Sequence, residues 1–379
     1  MIPYSTQDVN DSDRKAVDKV LRSRFLTQGP AIDNFENSVA KSSNAKYAVA
    51  FTSGTAALHA AYFAAGIGKG DEVIIPALTF AATANAALYL EARPVFADID
   101  LTTGLVNPKD VEKKITKKTK AIVAVDYSGR PAPYKALRTL AKKHNLVLID
   151  DGAHSLGATY EKKPIGTQAD MTMFSFHPVK SITTGEGGVI VTNNEKYAKS
   201  MRQFRSHGIT RDKADLVRVD EGPWYQEMQS LGYNYRMTDM QAALGVNQLK
   251  RLGSFVKKRQ ALARRYEKIL AKVPGLIVPP AERANETSAW HLYPVRIADV
   301  INRRAIFESL RELGIGVQVH YLPVYRHPYY ESLGYKKGLC PNAELFYAGE
   351  ISIPLFPGLS KSDQDFVVTS LKKSLAAYE

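Results

Sequence analysis

Between Lys46 and Thr192 the chain alternates short β-branched or apolar runs with segments that are apolar at three- and four-residue steps. The runs are YAVAFTS (47–53), EVIIPA (72–77), RPVFADID (93–100), KAIVAVDY (120–127), LVLIDDGA (146–153), MTMFSF (171–176) and GVIVTN (188–193). TAALHAAYFAAGI, TFAATANAALYLE and YKALRTLAKKHN lie between them. Near-continuous apolar strands need cover on both faces, and intervening helices supply it only by crossing over the sheet. The pattern therefore predicts a mainly parallel, seven-stranded α/β sheet. In such a sheet ligands are received beyond the carboxyl ends of the strands.

After Leu244 the character changes. Met240–Leu270 reads as a long helical region interrupted near Gly253. SAWHLYPVRI and IGVQVHYLPVY read as strands, with a helix at RRAIFESLRELG between them. The expected division is residues 1–245 for the N-terminal segment and large domain, and 246–379 for a smaller α+β domain. A chain of 379 residues is long enough for two such cores.

The single cysteine, Cys340, excludes an internal disulfide framework and a multi-cysteine metal site, and no metal is expected. The start has no basic stretch leading into an apolar one, and PALTFAATANAALYL (76–90) is too short and polar to span a bilayer. A cytoplasmic protein without membrane partners is the expectation. The net charge of +13 raises the question of nucleic acid. The basic clusters KDVEKKITKKTK and VKKRQALARRYEK carry helical spacing, so they read as solvated helix faces. No nucleic-acid motif accompanies them, and a modest attraction for small anions is expected instead.

Four features fall at the ends of successive strands. Thr52-Ser53-Gly54-Thr55 leads from a strand into a helix beginning at Thr55 and Ala56, whose free amides suit a phosphate or simply an N-cap. Asp150 and Asp151 end a buried strand with His154 within one turn. Two adjacent buried carboxylates are costly unless something positive meets one of them, and strand alternation sends them to opposite faces, so only one should serve. Lys180 sits in a tight loop between two strands, after Pro178 and before Gly185, where desolvation would lower its pKa and free it for Schiff-base chemistry. Phe80 stands where a strand gives way to a helix and offers a flat face. A lysine for an aldehyde, an acid for a pyridinium nitrogen, a helix start for a phosphate and an aromatic ring are together what pyridoxal phosphate needs.

The sequence resembles the DegT/StrS family of nucleotide-sugar aminotransferases nearly end to end. The resemblance is carried by LRSRFLTQGPAIDNFE, TSGTAALHAA, GDEVIIPALTFAATANA, IDDGAHSLGA, SFHPVKSITTGEGG, FRSHGI, LGYNYRMTDMQAALGVNQL and GIGVQVHYLPVYRHPYY. It implies the fold type I architecture of the aspartate aminotransferase group. FHPVKSITTGEGG, GPWYQEMQSLGYNYRMTD, VHYLPVYRHPYY and VDYSGRP, with Asp126 where many relatives carry histidine, are most like the pseudaminic-acid branch. That branch aminates C4 of UDP-2-acetamido-2,6-dideoxy-β-L-arabino-hexos-4-ulose with L-glutamate as donor.

By resemblance Lys180 is the cofactor lysine, Asp151 the partner of the ring nitrogen, His154 a neighbour of the ring hydroxyl and Phe80 its stacking group. Ser53, Gly54, Thr55, Ala56 and Ser175 would hold the phosphate, with Asn234 reaching it from the other subunit of a homodimer. Tyr4, Arg236, His320 and Tyr321 are implied as sugar-nucleotide contacts, a structural ion pair being the alternative for Arg236. Dehydrases on this fold carry histidine in place of the lysine, and desulfurases need a mobile reactive thiol, which Cys340 before Pro341 does not suggest. Another UDP- or dTDP-linked keto-sugar, or a non-catalytic sensor, stay as alternatives.

Overall fold

The computed structural model describes residues 1–218 and 220–378. All seven runs form strands of one sheet: β1 (Tyr47–Phe51), β2 (Glu72–Pro76), β3 (Arg93–Ala97), β4 (Thr119–Val125), β5 (Val147–Asp151), β6 (Met171–Ser175) and β7 (Gly188–Thr192). Their order is β1-β7-β6-β5-β4-β2-β3. The links from β3 through β6 are parallel, while β7 runs antiparallel to both β6 and β1.

Alternate strand residues feed two separate cores. On one face Val49, Ile75, Val123 and Met173 pack against helices α2 (Gly54–Ala64) and α3 (Ala81–Leu88). On the other, Ala50, Ile74, Ile122 and Phe174 meet α1 (Pro30–Ser42) and α4 (Tyr134–His144). The two-faced cover expected from the alternating runs is thus present, and it points every strand-to-helix turn of the parallel set at one end of the sheet.

The C-terminal part holds a three-stranded antiparallel sheet, β8 (Leu276–Ile277), β9 (Tyr293–Ile297) and β10 (Glu350–Ile353). Its core includes Tyr266, Val295, Leu310, Ile351 and Leu371. Three details differ from the sequence expectation. The helical region breaks at Lys250–Arg251, between α5 (Asp239–Leu249) and α6 (Leu252–Leu270), and not at Gly253, which lies inside α6. Arg251 is drawn aside there by ion pairs with Asp8 and Asp13. IGVQVHYLPVY is not a strand: Ile315 bridges Ile2 and Gln318 bridges Ser352, after which the backbone leaves the sheet edge. Strand β10, short and late in the chain, was not anticipated.

No helix among the described residues is long and apolar enough to cross a membrane. Gly188, the first residue of β7, lies under the turn that precedes α2: a Cβ there would run into the Ser53 carbonyl and the Gly54 nitrogen. Gly188→Ala is therefore expected to cost about 1–3 kcal/mol of stability, as overpacking does. A denaturation midpoint equal to that of the parent would contradict this.

Candidate active site

A cleft of about 500 Å³ opens at the carboxyl end of the sheet. Its depth is set by Asp151, the last residue of β5, which is almost fully buried. The Thr83 hydroxyl, one helical turn into α3, donates to Asp151 Oδ2 at 2.6 Å, and the Ala153 amide donates to Oδ1 at 3.2 Å. Burial still raises the Asp151 carboxyl above its ordinary range, against those bonds and the nearby Lys180 charge. Asp150 points through to the opposite face, where its Oδ2 lies 2.8 Å from the Tyr134 hydroxyl. The same hydroxyl lies 2.7 Å from Asp126 Oδ2. One hydroxyl hydrogen cannot serve two carboxylates, so one of that pair carries a proton, in keeping with the rise that burial imposes on both.

Lys180 lines the cleft from the loop after β6. The loop is fixed by its own bonds: the Lys180 amide donates to His177 O, and the Thr183 hydroxyl donates to Phe176 O and accepts from the Gly185 amide. Gly185 takes a left-handed φ of 83°, which lets the chain turn back into β7. Desolvation lowers the Lys180 ammonium to about 8, with Asp151 opposing the fall and Arg259 adding to it. Among the described residues the Lys180 side chain forms no hydrogen bond or ion pair, which leaves its amine available.

The third wall is aromatic. His154 Nε2 lies 3.2 Å from the Tyr321 hydroxyl, and its ring is 4.3 Å from that of His291, centroid to centroid. Burial, with the Lys180 charge nearby, pushes both imidazoles well below their usual range, so both are neutral. Phe80, the residue before α3, is 60% exposed at the cleft, 6.1 Å from the Tyr321 ring. Tyr4 and His320 close the mouth, their rings 5.7 Å apart. At the far end Ser53 caps α2 by accepting the Ala56 amide at 3.1 Å. The side chains of Thr55 and Ser175 join it in the lining.

The model of the DegT/DnrJ/EryC1/StrS aminotransferase family matches residues 7–372. The chain belongs to this family. It is 40% identical over 377 residues to the spore coat polysaccharide biosynthesis protein SpsC of Bacillus subtilis, covering 98% of this chain and 96% of that one. It is 39% identical over 376 residues, with the same coverage, to the UDP-4-amino-4,6-dideoxy-N-acetyl-beta-L-altrosamine transaminase of Campylobacter jejuni. Among solved structures it superimposes on PseC of Helicobacter pylori, an aminotransferase involved in pseudaminic acid biosynthesis, with a TM-score of 0.92 at 34% identity over the whole of both chains.

DegT-family aminotransferases use pyridoxal phosphate, and this chain is a pyridoxal-phosphate-dependent sugar aminotransferase of fold type I. Its cleft fits the cofactor by an independent test. Asp151 is a buried carboxylate that forms no ion pair among the described residues, and a protonated ring nitrogen would supply one.

Of the residues singled out in the sequence, Tyr4, Ser53, Gly54, Thr55, Phe80, Asp151, His154, Ser175, Lys180, His320 and Tyr321 line this one cleft. Ala56 lies just behind, in an adjoining hollow with Tyr233 and Tyr235. Asn234 is exposed and Arg236 half-buried; neither lines the cleft of its own chain, and Arg236 makes no ion pair among the described residues. Sequence reasoning missed Thr83, His291, Glu350 and Ser352. Thr83 carried a signal, standing one turn after Phe80 in a helix that starts at a strand end. The others come from distant segments with no motif of their own.

Proposed function

We propose that this enzyme moves the amino group of L-glutamate to C4 of a UDP-linked 4-keto-6-deoxy-N-acetylhexosamine, UDP-2-acetamido-2,6-dideoxy-β-L-arabino-hexos-4-ulose. The observation that carries the chemistry is a lysine amine lowered to about 8, sharing a cleft with a buried carboxylate that forms no ion pair among the described residues. The choice of sugar rests on the likeness to the Campylobacter jejuni transaminase and on the motifs around Lys180 and His320.

In this reading Lys180 binds the cofactor aldehyde and then, as a free amine, carries a proton between carbon atoms. Pyridoxal phosphate, when bound, supplies an electron sink for the carbon that loses its proton. Asp151 keeps the ring nitrogen protonated. Thr83 and the Ala153 amide hold the aspartate in place. Ser53, Gly54, Thr55, Ala56 and Ser175 receive the phosphate at the start of α2, Phe80 covers the ring and His154 stands at the ring hydroxyl. Tyr4, His320 and Tyr321 meet the sugar nucleotide. Asn234, which is exposed, acts on the phosphate of a second copy in a homodimer, and Arg236 in the same segment meets the sugar nucleotide there. The work is divided between a large domain, 1–245, and a smaller one, 246–379, in a cytoplasmic enzyme.

The test is spectroscopic. L-Glutamate is expected to bleach the visible band of the bound cofactor and release 2-oxoglutarate, and the keto-sugar to restore the band. Restoration by a different UDP- or dTDP-keto-sugar, but not by this one, would move the assignment within the family. A band that glutamate leaves unchanged would overturn the donor.

A further inference from the structure

Exchange of a ketone oxygen for an amino nitrogen needs proton transfer at the oxygen as well as at carbon. A C–N bond forms at the sugar carbon, the C–O bond breaks, and the oxygen leaves as water with two hydrogens that the nitrogen gives up. A group at the oxygen's side of the cleft has to supply one proton while one is taken from the nitrogen. His320 stands at the cleft mouth, but burial and the Lys180 charge lower its imidazole to about 3. It cannot act as an imidazolium at neutral pH.

Behind it lies a buried chain. His320 Nδ1 is 2.8 Å from Ser352 Oγ, and Ser352 Oγ is 2.5 Å from Glu350 Oε1. The His320 amide donates to Glu350 Oε2 at 2.7 Å. Glu350 is completely buried on β10, and among the described residues it has no ion pair. Arg296 sits opposite it on β9, and Arg303, Tyr127 and Tyr321 face it from other elements. The ring of His320 makes its one protein hydrogen bond among the described residues through Nδ1, and His320 lines the cleft.

The same heavy-atom positions accept two proton arrangements. With Glu350 ionised, Ser352 donates to it, His320 Nδ1–H donates to Ser352, and Nε2 is a bare acceptor. With Glu350 protonated, Glu350 donates to Ser352, Ser352 donates to Nδ1, and Nε2 carries the hydrogen. We infer that Glu350, Ser352 and His320 form a proton relay, with Glu350 as the store, that hands a proton to the departing ketone oxygen. This rests on the keto-sugar reading above.

In the transfer the Nε2 proton goes to the oxygen, the Ser352 proton moves to Nδ1 and the Glu350 proton moves to Ser352 Oγ. The proton released by the nitrogen then refills the chain in the reverse direction, so no net proton is consumed. Imidazolium never forms. Burial raises Glu350 to about 8, so the donor-ready arrangement is the resting one at neutral pH. His320 touches substrate in this scheme; Ser352 and Glu350 act through it.

The experiment is nitrogen-15 spectroscopy of the cofactor-loaded enzyme labelled at its histidine rings, with His320→Asn identifying the signals. The two ring nitrogens report the tautomer directly. From about pH 6 to about pH 10, His320 is expected to pass in one transition from Nε2–H to Nδ1–H, following Glu350. Glu350→Gln should hold Nε2–H throughout, and Ser352→Ala should uncouple the ring from the transition. A single tautomer across the range in the parent enzyme overturns the relay, whatever the Glu350 and Ser352 variants do. In single turnovers, Glu350→Gln is expected to slow the keto-sugar half-reaction about a hundredfold more than the glutamate half, the low end of positioned acid catalysis. Equal loss in both halves overturns the relay, since a merely structural role predicts it. A parent enzyme that switches tautomer but accepts no keto-sugar supports the coupled chain and overturns the substrate reading.

Discussion

Lys180→Ala is expected to abolish turnover, with a loss of at least about four orders of magnitude, because in the proposed mechanism one residue supplies both the nucleophile and the general acid–base. Nothing else in the cleft can replace it: the other basic groups lining it are His154, His177, His291 and His320, and none is a primary amine. Folding is not expected to suffer, since burial already works against the charged ammonium, and a methyl group removes that cost. Two measurements make the case. The variant's unfolding midpoint should equal or exceed that of the parent, and borohydride should fix the cofactor to the parent chain but not to the variant. Appreciable retained transamination would sink the assignment of Lys180.

Asp151→Asn should cut activity by about a thousandfold, within the span of a single proton-holding group. Asparagine keeps the shape, and its carbonyl oxygen can still accept from Thr83, but it cannot hold a proton on a ring nitrogen. The substitution also acts on Lys180. Asp151 raises the Lys180 pKa while burial lowers it, so its removal leaves the depression unopposed. Only the neutral amine attacks an aldehyde, so reconstitution of the cofactor-free parent should speed up as pH rises through about 8. In Asp151→Asn that midpoint should lie lower. A midpoint that stays put or rises would show that the two groups are not electrostatically coupled.

The likeness to both SpsC and the Campylobacter jejuni transaminase bears on how such enzymes divide their sugars. In the proposed reading the lysine, the aspartate and the helix start would serve the cofactor, whereas Tyr4, His320 and Tyr321 stand at the mouth where the sugar would lie. Changes at the mouth leave the cofactor frame intact, so substrate choice can vary while the chemistry is kept.

The seven strands were legible because each is an unbroken apolar run, and burial on both faces of a parallel sheet imposes that pattern locally. Lys180, Asp151 and the Ser53–Ala56 turn were legible for the same reason: chain direction delivers every strand end to one edge, so residues just after the runs must meet. Strand alternation foretold that Asp150 and Asp151 face opposite sides of the sheet, while the family resemblance chose Asp151 as the one in the cleft. IGVQVHYLPVY misled because its β-branched residues satisfy the local pattern, while its pairing is decided by Ile2 and Ser352, far away in the chain. That departure from the sheet edge leads to the segment carrying His320 and Tyr321, which line the cleft.

What the sequence by itself determined, then, is the large sheet, its covered faces and the residues at its strand ends that line the cleft, all set by short-range periodicity and chain direction. What only the tertiary structure decided is everything assembled across distance. Thr83 supports Asp151, His291 packs on His154, and Glu350 and Ser352 stand behind His320. A buried carboxyl or imidazole takes its proton state from neighbours that folding brings to it, and no spacing along the chain encodes them.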